Sequence, residues 1–266
     1  MRLVSLNAWK AEGDHARRIG AMVAGLSALS PDLVALQEDL RTADGLTHTA
    51  LALARALGMQ LSWVPARPKL RHLGLRRTLT TSGLAVLSRP PVREQRVLAL
   101  PEDPRDGERV AQGVRLAATD GGGWLVNLHL THLADRDDLR RQQFRAALAW
   151  ASALSPEAPV LVCGDLNAPA DAFSGLPGAP GRHALTDAFG GRSKVTHVTA
   201  AGEALDLDQV MLFQPVDGSS WRVRGARVVL DAPGPQGVRP SDHFGVCVDL
   251  DLCGPLCRPV SPGAAS

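Results

Sequence analysis

Val160-Leu161-Val162-Cys163-Gly164-Asp165-Leu166-Asn167-Ala168-Pro169 is the stretch from which the chain is best read. Its apolar first half predicts a buried strand, Gly164 lets the backbone turn tightly, and a carboxylate and a carboxamide then follow two residues apart. Pro169 keeps the segment from continuing as a regular ladder. A Gly-Asp-x-Asn turn is most often only a turn. At the end of a buried strand, however, Asp165 could orient or deprotonate a water, and Asn167 could hydrogen-bond an anion.

Other apolar segments of the chain end the same way. The run at residues 2–6 closes on Asn7, and Leu33–Leu36 closes on Gln37-Glu38-Asp39, where Glu38 is a carboxylate of the type hard divalent cations take. Trp124–Leu130 delivers Asn127, His129 and, just beyond, His132; Leu205–Leu212 opens with Asp206 and Asp208; Ser241-Asp242-His243 directly precedes the strand 244–252. Helical spacing predicts helices at 16–29, 46–57 (closed by Gly58) and 139–154. Strands interspersed with helices predict a layered α/β architecture.

At 266 residues the chain is long enough to bury a large core without disulfides or a structural metal, and no linker divides it, so one domain over 1–253 with a flexible tail at 254–266 is expected. The balance of 29 basic and 27 acidic residues gives a net charge of +2, far from that of a dedicated nucleic-acid binder; nucleic acid is permitted and not implied. The basic run 67–77, including Arg71, Arg76 and Arg77, reads as a loop that could form an electropositive lip for a phosphate-bearing substrate. Cys163 and Cys247 read as core residues; Cys253 and Cys257 bracket a loop short enough to close as a disulfide or, with outside ligands, to hold a metal. No run approaches a membrane span and no cleavable leader is evident, so a cytoplasmic monomer is expected.

Carboxylates, amides and imidazoles at strand ends, without a Ser or Cys nucleophile among them, suit metal-assisted attack by water on a phosphoester. Seven short motifs also occur in the order typical of one family. They are the Asn-ended first strand, Gln37-Glu38, Gly83 to Arg89, Asn127-Leu128-His129-Leu130, Gly164-Asp165-Leu166-Asn167, Leu207-Asp208-Gln209-Val210 and Ser241-Asp242-His243. In these the chain resembles the endonuclease/exonuclease/phosphatase superfamily from Asn7 to His243. The resemblance implies a four-layer α/β/β/α sandwich, with two mixed β-sheets face to face and helices outside. It implies that Glu38, Asn7, Asp208 and Asp242 serve a Mg²⁺ or Mn²⁺ site and that Asp165 activates water beside Asn167. His129 and His243 would bind the phosphoryl group, His243 being held by Asp242, and His132 would act as an additional donor.

The family's nucleases often carry Asn where Leu84 stands and an aromatic residue where Gln209 stands, and this chain has no Tyr to act as a phenolic acid. A phosphodiesterase acting on nucleic acid, lipid headgroup or a small diester is the expected activity. A phosphomonoesterase and a non-catalytic anion-binding module are the alternatives.

Overall fold

The computed structural model describes residues 1–117, 123–176, 183–235 and 237–253. The expected tail 254–266 with Cys257, and most of the glycine-rich stretch 120–123, whose sequence predicts a hairpin turn, lie outside the described residues. In chain order the elements are β1 (Arg2–Asn7), α1 (His15–Leu29), β2 (Leu33–Thr42), α2 (Thr49–Leu57), β3 (Gln60–Val64), β4 (Lys69–Leu73), β5 (Arg76–Ser88) and β6 (Val92–Ala99). They continue with β7 (Val110–Leu116), β8 (Trp124–His129), α3 (Asp137–Leu154), β9 (Val160–Asp165), β10 (His183–Asp187), β11 (His197–Val198), β12 (Ala204–Leu205), β13 (Asp208–Pro215), β14 (Ser220–Val229) and β15 (Gly245–Cys253).

One sheet runs β14-β15-β1-β2-β5-β3, with β4 paired to the far half of β5; the other runs β10-β13-β9-β8-β7-β6. Both are mixed, because β1–β2 and β8–β9 are parallel pairs in otherwise antiparallel sheets. Strand periodicity explains the layering. Leu3, Ala35, Val86, Val246 and Val248 of the first sheet meet Leu125, Leu161, Cys163 and Val210 of the second in the central layer. The residues between them face outward: Val4, Leu6, Val34 and Leu36 pack under Met22 and Leu26 of α1 and Leu53 of α2. On the far side Val126, Leu128, Val160 and Val162 pack under Phe144, Ala147, Leu148 and Ala151 of α3. Strands covered on both faces read as unbroken apolar runs.

Helix α1 ends at Ser30, which adopts φ 49 before Pro31 stops propagation, and α2 ends at Gly58 with φ 63, as its sequence predicts. Helix α2 begins at Thr49 rather than near 46; Leu46 is exposed in the preceding turn. The larger correction concerns residues 67–77, expected as a loop. They form most of a hairpin in which β4 pairs with β5 from Lys69↔Thr80 to Leu73↔Arg76 around Gly74 at φ 61. Its alternation is masked because the hairpin is solvated and its polar positions are nearly all basic. Among the described residues no helix is long and apolar enough to cross a membrane.

Candidate active site

The two parallel pairs place the site. In β1–β2 Asn7 is level with Gln37, and in β8–β9 His129 is level with Asp165, so the carboxyl ends of both pairs open on one cleft, as is usual for ligand sites in open α/β sheets. The cleft has a volume of about 580 Å³, and its walls include Asn7, Glu38, His129, Asp165, Asn167, Asp242 and His243. A space of that size suits a small ligand or a segment of a larger one.

Glu38 reaches the cleft through a bulge. Pairing of β2 with β5 is regular to Leu36↔Ala85 and resumes at Asp39↔Gly83, which leaves Gln37 and Glu38 opposite the single residue Leu84. Glu38 takes φ 54, a strained value for a non-glycine residue. Its carboxyl is pushed up by burial and pulled back by Lys10, whose ammonium lies 2.7 Å from Oε1.

Asp165 lies on the floor of the cleft. Gly164 before it adopts φ 139, and a Cβ there would fall 1.9 Å from the Leu128 carbonyl, so glycine serves close strand packing within β9 rather than a turn after it. The Asp165 carboxylate accepts from Asn7 Nδ2 at 3.0 Å and from the Asn167 amide at 2.9 Å, while Asn167 Nδ2 donates to the Leu130 carbonyl at 3.1 Å. His129 Nε2 and His243 Nε2 stand 3.5 and 3.8 Å from Asp165 Oδ2. Burial, and then the Asp208 charge, hold the Asp165 carboxyl above the usual range.

His243 was expected to be held by its neighbour Asp242. Instead Nδ1 meets Asp208 Oδ2 at 2.8 Å, and Asp208 is fully buried behind the ring rather than on the cleft wall. The chain bends at Asp242 before β15, so the ring turns to β13 while Asp242 stays in the cleft. A carboxylate partner makes Nδ1 a donor and leaves Nε2 facing Asp165. Burial works against charge on this ring, but Asp208, Asp165 and Asp242 outweigh it and raise His243 to about 10. His129 is driven the other way, well below its usual value, by burial and by Arg109 and Lys10.

Asn7 spends its amide within the protein, Nδ2 on Asp165 and Oδ1 on the Trp9 amide at 2.9 Å. Among the described residues two triads, Asp165-Asp208-His243 and His197-Asp242-His243, each bring their ligand-type atoms within 4.8 Å of one another; Glu38 belongs to neither.

Of the expected substrate-binding residues, Arg71 lines the cleft and His132 stands at its rim, where its Nδ1 accepts from Arg109 at 3.0 Å. Arg76 pairs with Asp44 at 2.5 Å and Arg77 lies opposite His72 on β4; neither reaches the cleft, because the hairpin turn carries them to its far end.

Several supporting contacts escape a sequence reading. Arg18, on a helix face that looks solvated, is buried and donates to the carbonyls of Ala8, Trp9, Lys10, Glu12 and Pro240, tying the segment after β1 to the one carrying Asp242. Ser241 Oγ donates to the Asn7 carbonyl at 2.6 Å. Gln37 Nε2 donates to Asn127 Oδ1 at 2.7 Å, and Asn127 Nδ2 donates to the Leu36 carbonyl at 3.0 Å, joining the two sheets beneath the site. Gln37, Asn127 and Ser241 stand in the motifs, but the motifs do not show what they bond to, and Arg18 carries no local signal.

The model of the endonuclease/exonuclease/phosphatase family matches residues 4–243, a span that holds every residue of the cleft floor. The chain belongs to that family. No curated protein matches it in sequence. Solved structures that share the fold include D. rerio TDP2 complexed with a single-strand DNA product (16% identity, covering 94% of this chain and 98% of that one, TM-score 0.72). The human nocturnin catalytic domain with bound sulfate is another (21%, 95% and 93%, TM-score 0.69). A family protein from Beutenbergia cavernae is a third (22%, 96% and 72%, TM-score 0.68). In this family's fold the two mixed sheets form the sandwich expected from the motifs.

Proposed function

We propose that the chain is a divalent-metal-dependent phosphodiesterase that hydrolyses its substrate by in-line attack of water. The observation that carries this reading is the environment of Asp165, a buried carboxylate held by two asparagines and faced by two imidazoles in a cleft that also contains Glu38 and Asp242.

The donor set fits a hard cation. Glu38 and Asp242 offer carboxylate oxygens in the cleft, and Mg²⁺ or Mn²⁺ needs only one or two such ligands because it keeps waters. When bound, the metal supplies positive charge to the phosphoryl oxygens and the leaving group. Lys10 shares Glu38 with that position.

Asp165 is the water-orienting base. Asn7 and Asn167 fix its direction, and burial and the Asp208 charge raise its carboxyl above the usual range, which strengthens it as a base. His243, kept cationic by Asp208, presents Nε2 toward the same space and donates to a phosphoryl oxygen as charge builds there. His129, neutral, places a second ring nitrogen beside it. The DNA bound to D. rerio TDP2 and the sulfate bound to human nocturnin support an anionic ester as substrate, with nucleic acid among the candidates.

The test is hydrolysis of bis-p-nitrophenyl phosphate and p-nitrophenyl phosphate with Mg²⁺, Mn²⁺ or chelator. Metal-dependent release of p-nitrophenolate from the diester is expected, with loss of about 10²- to 10⁴-fold in Asp165→Asn. Turnover of the monoester alone would replace this reading with a phosphatase.

A further inference from the structure

Arg67, Lys69 and Arg71 are spaced two apart, and in an extended chain that spacing puts side chains on one face. All three line the cleft. Their partners are neutral. Arg67 donates to the Asp106 carbonyl at 3.3 Å; Arg71 donates to Thr80 Oγ1 at 2.7 Å and Ser82 Oγ at 3.0 Å. The Lys69 ammonium has no partner among the described residues. Carbonyls and hydroxyls fix the direction of a guanidinium but leave its charge uncompensated, and a planar fork held in this way is suited to phosphate.

The row also adjoins the site described above. Burial lowers Arg71, and Glu38 is the first charge to oppose that; burial lowers Lys69, with Arg67, Arg71, Lys10 and Arg109 adding to the effect. Cations held close together at a cleft wall, without an ion-pair partner of their own, repel one another until an anion enters.

We infer that Arg67, Lys69 and Arg71 form a second anion subsite that takes a non-scissile phosphate, so that the enzyme selects esters carrying two phosphates over simple diesters. This rests on the reading of the cleft as a phosphodiester site. Two sources share the chemistry, a small bisphosphorylated ester and the next phosphate of a nucleic-acid strand.

The experiment has a binding arm and a turnover arm. In EDTA, calorimetry compares thymidine 3′,5′-bisphosphate with thymidine 5′-monophosphate. The bisphosphate is expected to bind about tenfold tighter, as for a few added charge-assisted contacts. That preference should vanish in the Lys69→Gln/Arg71→Gln variant, invert in Lys69→Glu, and persist in Arg76→Gln/Arg77→Gln, which removes the same charge from the far end of the hairpin. Equal affinities in the wild type, or a preference unchanged in the first variant, would overturn the inference.

With metal, the p-nitrophenyl ester of thymidine 5′-phosphate is compared with its 3′-phosphorylated form. The expected result is a KM about tenfold lower for the second, falling to parity in the Lys69→Gln/Arg71→Gln variant. Equal KM values with turnover of both esters would sink the subsite and spare the catalytic reading. A binding preference with turnover of neither would sink the catalytic reading and spare the subsite. Single-stranded thymidine oligomers identify the source: affinity that keeps rising with length assigns a strand, and affinity that stops at the bisphosphate assigns a small ester.

Discussion

Arg105, Arg109 and Arg136, in and near the 101–109 loop, each meet carboxylates: Arg105 pairs with Asp103 and Asp135, Arg109 with Asp106, and Arg136 with Asp103 and Asp138. Arg67, Lys69 and Arg71, on the β4 side of the same cleft, meet carbonyls and hydroxyls or no partner. Both groups have members that line one cleft, Arg105 and Arg109 in the first and all three cations in the second. The first is a neutralised scaffold whose cations hold a loop in place, and the second leaves its charge available. Basic residues in a sequence therefore do not mark a binding surface until their partners are known.

Four changes can break or sharpen that contrast. The largest effect is expected from Asp106→Ala, which removes both carboxylate oxygens from an Arg109 side chain only 11% exposed. Leaving that charge unpaired should cost about 3 kcal/mol in chemical denaturation; a cost under about 1 kcal/mol would mean that the loop is not held by the pair.

Acid should act on the same wall. Burial alone would raise Asp106, but hydrogen bonds from Arg109 and Thr131 and the Arg109 charge win and hold it at about 2. Because the folded value lies below that of the unfolded chain, the contribution is complete above about pH 4 and is lost as pH falls toward 2. Denaturation midpoints measured from pH 4.5 to 2 should fall less steeply in Asp106→Asn than in the wild type. Equal slopes would remove Asp106 from the account.

Smaller effects belong to the β4 wall. Arg71→Gln loses its bonds to Thr80 and Ser82 and should cost about 1 kcal/mol. Lys69→Gln, with no partner to lose, should fall within about 0.5 kcal/mol of the wild type. If Lys69→Gln destabilised as much as Asp106→Ala, the distinction between scaffold and open charge would collapse.

The sandwich was legible because its strands alternate two apolar faces and its parallel pairs end on Asn7, Gln37, His129 and Asp165; the motifs lie where register brings them together. The cleft floor was legible for the same reason. Roles that depend on side-chain direction were not. Asp242 precedes His243 in the chain, but the ring turns to Asp208, which lies 35 positions away. Arg76 and Arg77 share a basic run with Arg71, but the hairpin turn separates them from it. Arg18 and Lys10 carry no local signal, since their partners are carbonyls and a carboxylate supplied by distant segments.

The most direct test of the central claim separates holding the metal from activating water. Mn²⁺ binding is followed by electron paramagnetic resonance alongside diester turnover at saturating Mn²⁺ in Glu38→Gln and Asp165→Asn. The account predicts weakened Mn²⁺ binding in Glu38→Gln. In Asp165→Asn it predicts Mn²⁺ binding within a few-fold of the wild type but turnover lower by about 10²-fold or more. Wild-type turnover in Asp165→Asn would contradict it.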